Sequence, residues 1–316
     1  MKINFPLLAL AVGAFAIGTT EFSPMGFLPE IANDLSVSIP QAGLLISAYA
    51  VGVMIGAPLM TLWLARFPKK TALILLMAIF TIGNVLATVA PDYMSLMGAR
   101  LITSLNHGAF FGLGSVVAAS VVPKDKQASA VAMMFMGLTI ANIGGVPLAT
   151  WLSQNTSWRM AFAAISILGI MTMLALWKAL PQDHDVVKPN VAKGLRVLTR
   201  APVVLALLTT VMSAGAMFAL YTYIAPSLHV FMQASPQTIT LMLVLIGIGF
   251  SIGNHLGGKF ADLSLEKTLI GFLVLLMVMM LVFPVLAQTT VGAAIGLVIW
   301  GAAAFAVVPP LQMRVM

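Results

Sequence analysis

The chain has 316 residues, 60% of them hydrophobic and only 8% charged, with 16 Lys and Arg against 9 Asp and Glu. About a quarter of the residues of a water-soluble domain are charged, so this composition excludes a water-covered surface and makes lipid the solvent. The net charge of +7 does not point to nucleic acid, because the basic residues stand in short segments between apolar runs, and the absence of cysteine excludes disulfides, thiolate catalysis and thiolate metal sites.

Apolar runs of roughly 20 residues cross a bilayer as helices. Ten such runs are predicted, at 5–28, 41–65, 71–90, 94–121, 128–152, 160–180, 202–226, 237–258, 268–287 and 291–316. The first follows Lys2 and could pass for a signal peptide. It continues to Leu28 without a small-residue cleavage site, and we read it as an uncleaved first span. Alternate connections carry the basic residues: Arg66, Lys69 and Lys70; Lys124 and Lys126; Lys178, Lys188, Lys193, Arg196 and Arg200; Lys259 and Lys267. The other connections carry Glu30, Asp34 and Asp92 with one basic residue, Arg159. The positive-inside rule puts the basic ends and the N-terminus in the cytoplasm. The fold class expected is all-α and polytopic: a six-helix bundle over 1–181, a polar cytoplasmic linker over 182–201, and a partial second bundle over 202–316.

An internal repeat supports that division. The segment beginning at Val51 aligns with the one beginning at Gly247, pairing Gly52 with Gly249, Gly56 with Gly253, Lys70 with Lys267 and Thr71 with Thr268. Span two thus matches span eight, six spans on, which implies two parallel halves. Four spans follow the linker where six precede it, so a longer relative with two further helices is expected, with a native ten-span protein as the other possibility. Small residues spaced by four (Ala48, Gly52, Gly56; Ser104, Gly108, Gly112; Gly249, Gly253, Gly257) mark seams where helix backbones approach closely.

Ionisable groups at membrane depth face a bundle interior or a wet cavity and have partners. Span four holds two, Arg100 and His107, seven residues apart and so on one face of the expected helix. Span one holds Glu21, at a depth matching Arg100 within the predicted boundaries. Tyr49, Asn84, Asn142, Tyr221 and Tyr223 are polar cavity candidates or interhelical glue. His255 has no visible partner in the sequence and reads as structural or pore-lining. Four scattered histidines make a metal cluster improbable, and neither paired carboxylates nor a nucleophile constellation argues for an enzyme. A channel would want a continuous polar pore, where this chain has isolated charges.

Gly258-Lys-Phe-Ala-Asp262 resembles the loop element that recurs in both halves of the major facilitator superfamily; in the first half Ala65 stands where the aspartate would be. The segments from Thr20 to Pro29, Val37 to Gly43 and Asn106 to Gly112, with Tyr49-Ala-Val-Gly52 and Gly56-Ala-Pro58, resemble the arabinose-efflux-permease-like group of that superfamily. The resemblance implies an inner-membrane protein with two six-span halves that exports a small solute, sugar or drug-like, against inward proton flow. Arg100 resembles the arginine of that superfamily's span-four motif, with Ser104 where its glycine is usual. Gly144-Gly145-Val-Pro147 resembles its antiporter motif, a hinge or a static kink. On this basis Glu21 and Arg100 are expected to pair as the proton-coupling groups with His107 as relay. Asp262, Arg66, Gly144, Gly145 and Pro147 are expected to gate. The partners expected are a small solute, protons and the bilayer, with no cofactor and a monomeric state. A passive facilitator or a non-transporting remnant remain alternatives.

Overall fold

The computed structural model describes residues 4–123, 126–181, 201–261 and 263–315. Within them the chain forms helices α1 (Phe5–Gly26), α2 (Leu28–Asp34), α3 (Ile39–Leu64), α4 (Lys69–Thr88), α5 (Tyr93–Ser104), α6 (His107–Ser120), α7 (Gln127–Ile140), α8 (Val146–Asn155), α9 (Trp158–Ala179), α10 (Ala201–Thr222), α11 (Ile224–Met232), α12 (Pro236–Ala261), α13 (Leu265–Leu286), α14 (Thr290–Ala306) and α15 (Val308–Val315). Ten stretches among the described residues are long and apolar enough to cross a membrane, the fourth running Tyr93–Ser120 and the last Thr290–Leu311. Their starts are written in short polar residues that satisfy the orphan amides of a first turn. The Asn4, Ser38, Asp92, Ser157 and Thr289 side chains each accept a backbone N–H at a helix start, and Asp92 with Ser95 closes a capping box.

The chain folds as two compact units, Met1–Ala141 with Leu148–Pro189, and Asn142–Pro147 with Asn190–Met316. The expected linker at 182–201 lies outside the described residues but for its last position, Ala201, which opens α10.

In the first unit α1 lies against α7, α4 against α9, and α3 against the α5–α6 break. Lipid tails are as apolar as leucine, so these helices associate by close packing and interhelical hydrogen bonds rather than by escape from water. Glycines mark the closest approaches. A Cβ at Gly56 would fall 2.8 Å from Leu105 Cα, and one at Gly83 would fall 2.7 Å from the Thr103 amide nitrogen. Leu10, Ile17, Phe80, Phe110 and Phe162 are fully buried, while Met54, Leu148 and Trp177 face outward as a lipid belt requires. At the acidic end Asp34 accepts hydrogen bonds from Trp158 Nε1 (3.0 Å) and Arg159 Nη1 (2.5 Å), and Arg159 Nη2 donates to the Ala90 carbonyl (2.9 Å). This latch ties α2, the α4–α5 connection and α9 together.

In the second unit α12 and α14 form the principal seam. Cβ atoms at Gly249, Gly253 and Gly257 would meet the backbone of Val298, Ala302 and Ala306. The sequence repeat thus has a structural counterpart: in each unit the glycine-bearing second helix packs on the fourth. Phe250 stacks on Phe305 with centroids 4.0 Å apart, and Tyr221 and Trp300 meet it edge-on or tilted.

Two spans are interrupted. The fourth stops at Ser104 and restarts at His107, so the continuous helix expected there is not formed. Ser104 Oγ donates to the Leu101 carbonyl at 2.7 Å and Thr103 Oγ1 to the Ala99 carbonyl at 2.8 Å, while Leu105 N reaches back only to the Ile102 carbonyl. Side-chain hydroxyls competing for the ladder open it at this point. The fifth span widens into a π turn over Ala141–Gly145, just before Pro147. Proline lacks the N–H and crowds the preceding turn, which accounts for the widening.

Candidate functional site

The buried polar groups of the first unit converge on the break between α5 and α6. Arg100 is 1% exposed. Its Nη1 donates to the Thr20 carbonyl at 2.8 Å, and its guanidinium carbon stands 4.3 Å from the centroid of the Tyr49 ring. The ring face replaces an anion as the counter-surface of a desolvated cation. Arg100 Nε and Nη2 have no hydrogen-bond partner. Thr20 Oγ1 donates to Asn84 Oδ1 at 2.6 Å, and Asn84 Nδ2 to the Phe80 carbonyl at 2.9 Å. These contacts fix the depth of Arg100 at the Thr20–Glu21 peptide.

The Glu21–Arg100 ion pair expected from the sequence is not formed: no such pair within 4.0 Å occurs among the described residues. Arg100 reaches the main chain of α1 at Thr20, and the Glu21 side chain, one residue on, projects to another side of that helix. It faces His107, with Glu21 Oε2 3.9 Å from Nε2. The other imidazole nitrogen, Nδ1, lies 3.1 Å from the Tyr49 hydroxyl. If that hydroxyl donates, Nε2 bears the hydrogen and directs it at Glu21. Phe111 packs against the imidazole at 5.2 Å and Phe135 stacks on Phe111 at 5.1 Å, an apolar wall behind it. Glu21 and His107 side chains keep 16% and 15% exposure, so the carboxylate and imidazole line a partly open space while Arg100 is sealed.

The array is therefore Glu21, His107, Tyr49 and Arg100 in sequence, with Tyr49 the element common to the imidazole and the guanidinium. A carboxylate whose surroundings combine apolar wall, imidazole and a nearby cation has a proton affinity set by small rearrangements of those groups. Asn106, fully buried in the break, has neither amide atom hydrogen-bonded, so polar capacity is concentrated here beyond what the protein itself uses.

The remaining expected residues separate. Asn84 is a strut between α1 and α4 rather than a cavity group, 1% exposed and bonded at both ends of its amide. Asn142 and Tyr221 both belong to the second unit, where the Tyr221 hydroxyl donates to Asn142 Oδ1 at 3.4 Å. Tyr223 stands at the N-terminus of α11, in the break after α10. Arg66 lies over the rings of Trp63 and Phe67, 5.2 Å from each. Gly144 and Gly145 close the π turn, and a Cβ at Gly144 would meet nothing within 4 Å. Asp262 lies outside the described residues. Sequence reasoning missed the Tyr49–Arg100 contact and the latch at Asp34. It also missed Trp300, whose indole N–H is buried without a partner.

Comparisons with known proteins fit this architecture. The sequence profile described as Major Facilitator Superfamily matches residues 10–316. The inner membrane transport protein YdhP of Escherichia coli K12 is 67% identical over 316 residues, covering all of this chain and 81% of its own. The putative transporter AraJ of the same organism is 35% identical over 97% of this chain and 78% of its own. The crystal structure of a D-xylose-proton symporter superposes with TM-score 0.78 at 15% identity, over 97% of this chain and 80% of that one, a likeness of fold. With a profile match over nearly its whole length and ten apolar helices, the chain belongs to the Major Facilitator Superfamily and is a multi-pass inner-membrane transporter.

Proposed function

We propose that the chain exports a small solute, sugar or drug-like, in exchange for protons, by alternating access. Glu21 is the group that takes up and releases the proton. The observation that carries this reading is the Glu21–His107–Tyr49–Arg100 array, a carboxylate at membrane depth joined to an imidazole across 3.9 Å and standing beside a buried guanidinium. Such groups are costly in a bilayer and are found where ions or protons move. His107 passes the proton, its two ring nitrogens standing between the Glu21 carboxylate and the Tyr49 hydroxyl. Arg100, held by the Thr20 carbonyl and the Tyr49 ring, places a fixed positive charge at the end of the array. The π turn at Ala141–Gly145 with Pro147 supplies the bend about which a gate works, and Arg66 and Asp262 act at the basic end, assigned to the cytoplasm together with the N-terminus. Export is favoured by the resemblance to the arabinose-efflux-permease-like group. The working unit is a monomer.

The test uses proteoliposomes containing a trapped pH indicator and no imposed gradient. A panel of pentoses and lipophilic cationic dyes is added outside. Coupled exchange changes the lumen pH when a transported solute enters, and Glu21→Gln abolishes the change. Solute entry with no pH change in the parent protein would instead identify a passive facilitator.

A further inference from the structure

At the basic end of the second unit, the last turn of α12 and the first turns of α13 border a groove of about 370 Å³. Its apolar walls are Phe260, Leu263, Phe272 and Leu275, with the Phe260 and Phe272 rings 6.3 Å apart. From Lys267 to Leu275 the groove follows α13 for roughly 12 Å at 1.5 Å per residue, from the level of the helix start into the span. Ile270, Val274 and Met277 of the same helix face outward, as a lipid-facing surface requires. Gly271 keeps the groove open: a Cβ there would meet nothing within 4 Å.

Three polar side chains stand at the mouth, and two of them are unspent. Thr268 Oγ1 donates to the Ser264 carbonyl at 2.7 Å. The Ser264 hydroxyl makes no capping bond to the helix it begins. Lys267 forms neither a hydrogen bond nor an ion pair among the described residues. Ser264 and Lys267 are three positions apart, and so neighbours on one face of the first turn. Glu266, the adjacent acid, lies on another side of the helix and does not line the groove.

We propose that this groove binds an acyl chain of a membrane phospholipid, with Lys267 and Ser264 holding its phosphate. The groove lies along a membrane span, and the apolar molecules at hand in a bilayer are acyl chains. The mouth selects among lipids by charge. An ammonium group binds phosphate as a point charge, and a hydroxyl donates to the same oxygens. A chain ending in a phosphodiester satisfies both groups, whereas one ending in a neutral alcohol leaves the lysine unpaired. A basic residue beside anionic lipid headgroups is worth about fivefold in affinity. The site uses residues of the second unit alone, shares none with the Glu21 array and does not depend on the transported solute.

The test is native mass spectrometry of the delipidated protein titrated with phosphatidylglycerol or with diacylglycerol of the same acyl chains. The parent protein binds phosphatidylglycerol more tightly. Lys267→Gln lowers phosphatidylglycerol binding about fivefold and leaves diacylglycerol binding unchanged. Gly271→Phe, which fills the groove from a position where a Cβ meets no neighbour, lowers binding of both lipids; Leu275→Trp is the second filling variant should the first fail to fold. Equal binding of the two lipids by the parent, an unchanged preference in Lys267→Gln, or unchanged binding by a folded filling variant overturns the proposal. So does displacement of the lipid by glycerol phosphate, which would make the mouth a site for a soluble phosphate without an acyl chain.

Discussion

The seam between α3 and the broken fourth span is tight enough for its energetics to be worked from distances. A Cβ at Gly52 would clash with Ser104 Oγ, lie 3.0 Å from Ser104 Cβ and 3.4 Å from the Leu101 carbonyl. Overpacking of this kind costs about 1–3 kcal/mol, and replacing glycine by alanine in a helix returns about 1 kcal/mol. Gly52→Ala is therefore expected to destabilise by up to roughly 2 kcal/mol net. Ser104→Ala removes the oxygen but leaves the 3.0 Å carbon contact, so the double variant recovers part of the loss. With Ser104→Gly only the ordinary 3.4 Å contact remains, and the two changes should be coupled by about 1 kcal/mol or more. Equilibrium unfolding in mixed micelles, followed by helical circular dichroism for the four proteins of each cycle, measures that coupling. Additivity within about 0.5 kcal/mol would show instead that the seam relaxes freely and that the close contact costs nothing.

Other expectations follow from the polar contacts. Arg159, with Trp158, holds the Asp34 carboxyl below the ordinary carboxylate range. The latch's contribution is thus complete above about pH 4, the unfolded value, and is lost as pH falls through the lower folded value. Asp34→Asn should cost about 1 kcal/mol or less at neutral pH and low salt, and less still at high salt. Burial pushes the Glu30 carboxyl up, and its Oε2 has no partner. Its effect has the opposite sign: stability falls as pH rises through the raised folded value, and Glu30→Gln removes that fall in a pH series of thermal unfolding. The Thr20–Asn84 hydrogen bond, measured with Thr20→Val and Asn84→Leu in a double-mutant cycle, should give a coupling of about 0.6 kcal/mol. Pro147→Ala should restore the hydrogen-bond ladder of the fifth span, raising the unfolding midpoint while slowing solute exchange.

The spans were legible because a bilayer leaves one solution for an apolar run of the right length, and predicted and observed boundaries differ by few residues. The fifth span, predicted at 128–152, runs Ala130–Asn155, since Ser157 caps the next helix at its polar hydroxyl. The break at Leu105–Asn106 was not legible: hydropathy averages over many residues, whereas the break depends on where the Thr103 and Ser104 hydroxyls hydrogen-bond. At the site, the sequence indicates depth but not azimuth. It brought Glu21 and Arg100 to one level without revealing that arginine would take the Thr20 carbonyl and leave glutamate to His107. Tyr49 read as one of several interchangeable tyrosines because a ring serving as a cation's counter-surface has no sequence signature. Asn106 was the available signal: an amide in an apolar span, next to a histidine, marks a place where the helix is not self-sufficient.

If Glu21 carries the coupled proton, as proposed, its loss should abolish coupling and spare passage. In proteoliposomes, Glu21→Gln is compared with the parent protein in two modes: accumulation of labelled solute driven by a pH gradient, and exchange of labelled for unlabelled solute without a gradient. Loss of accumulation with exchange retained is the predicted result. A folded Glu21→Gln protein that still concentrates solute under the pH gradient contradicts the claim.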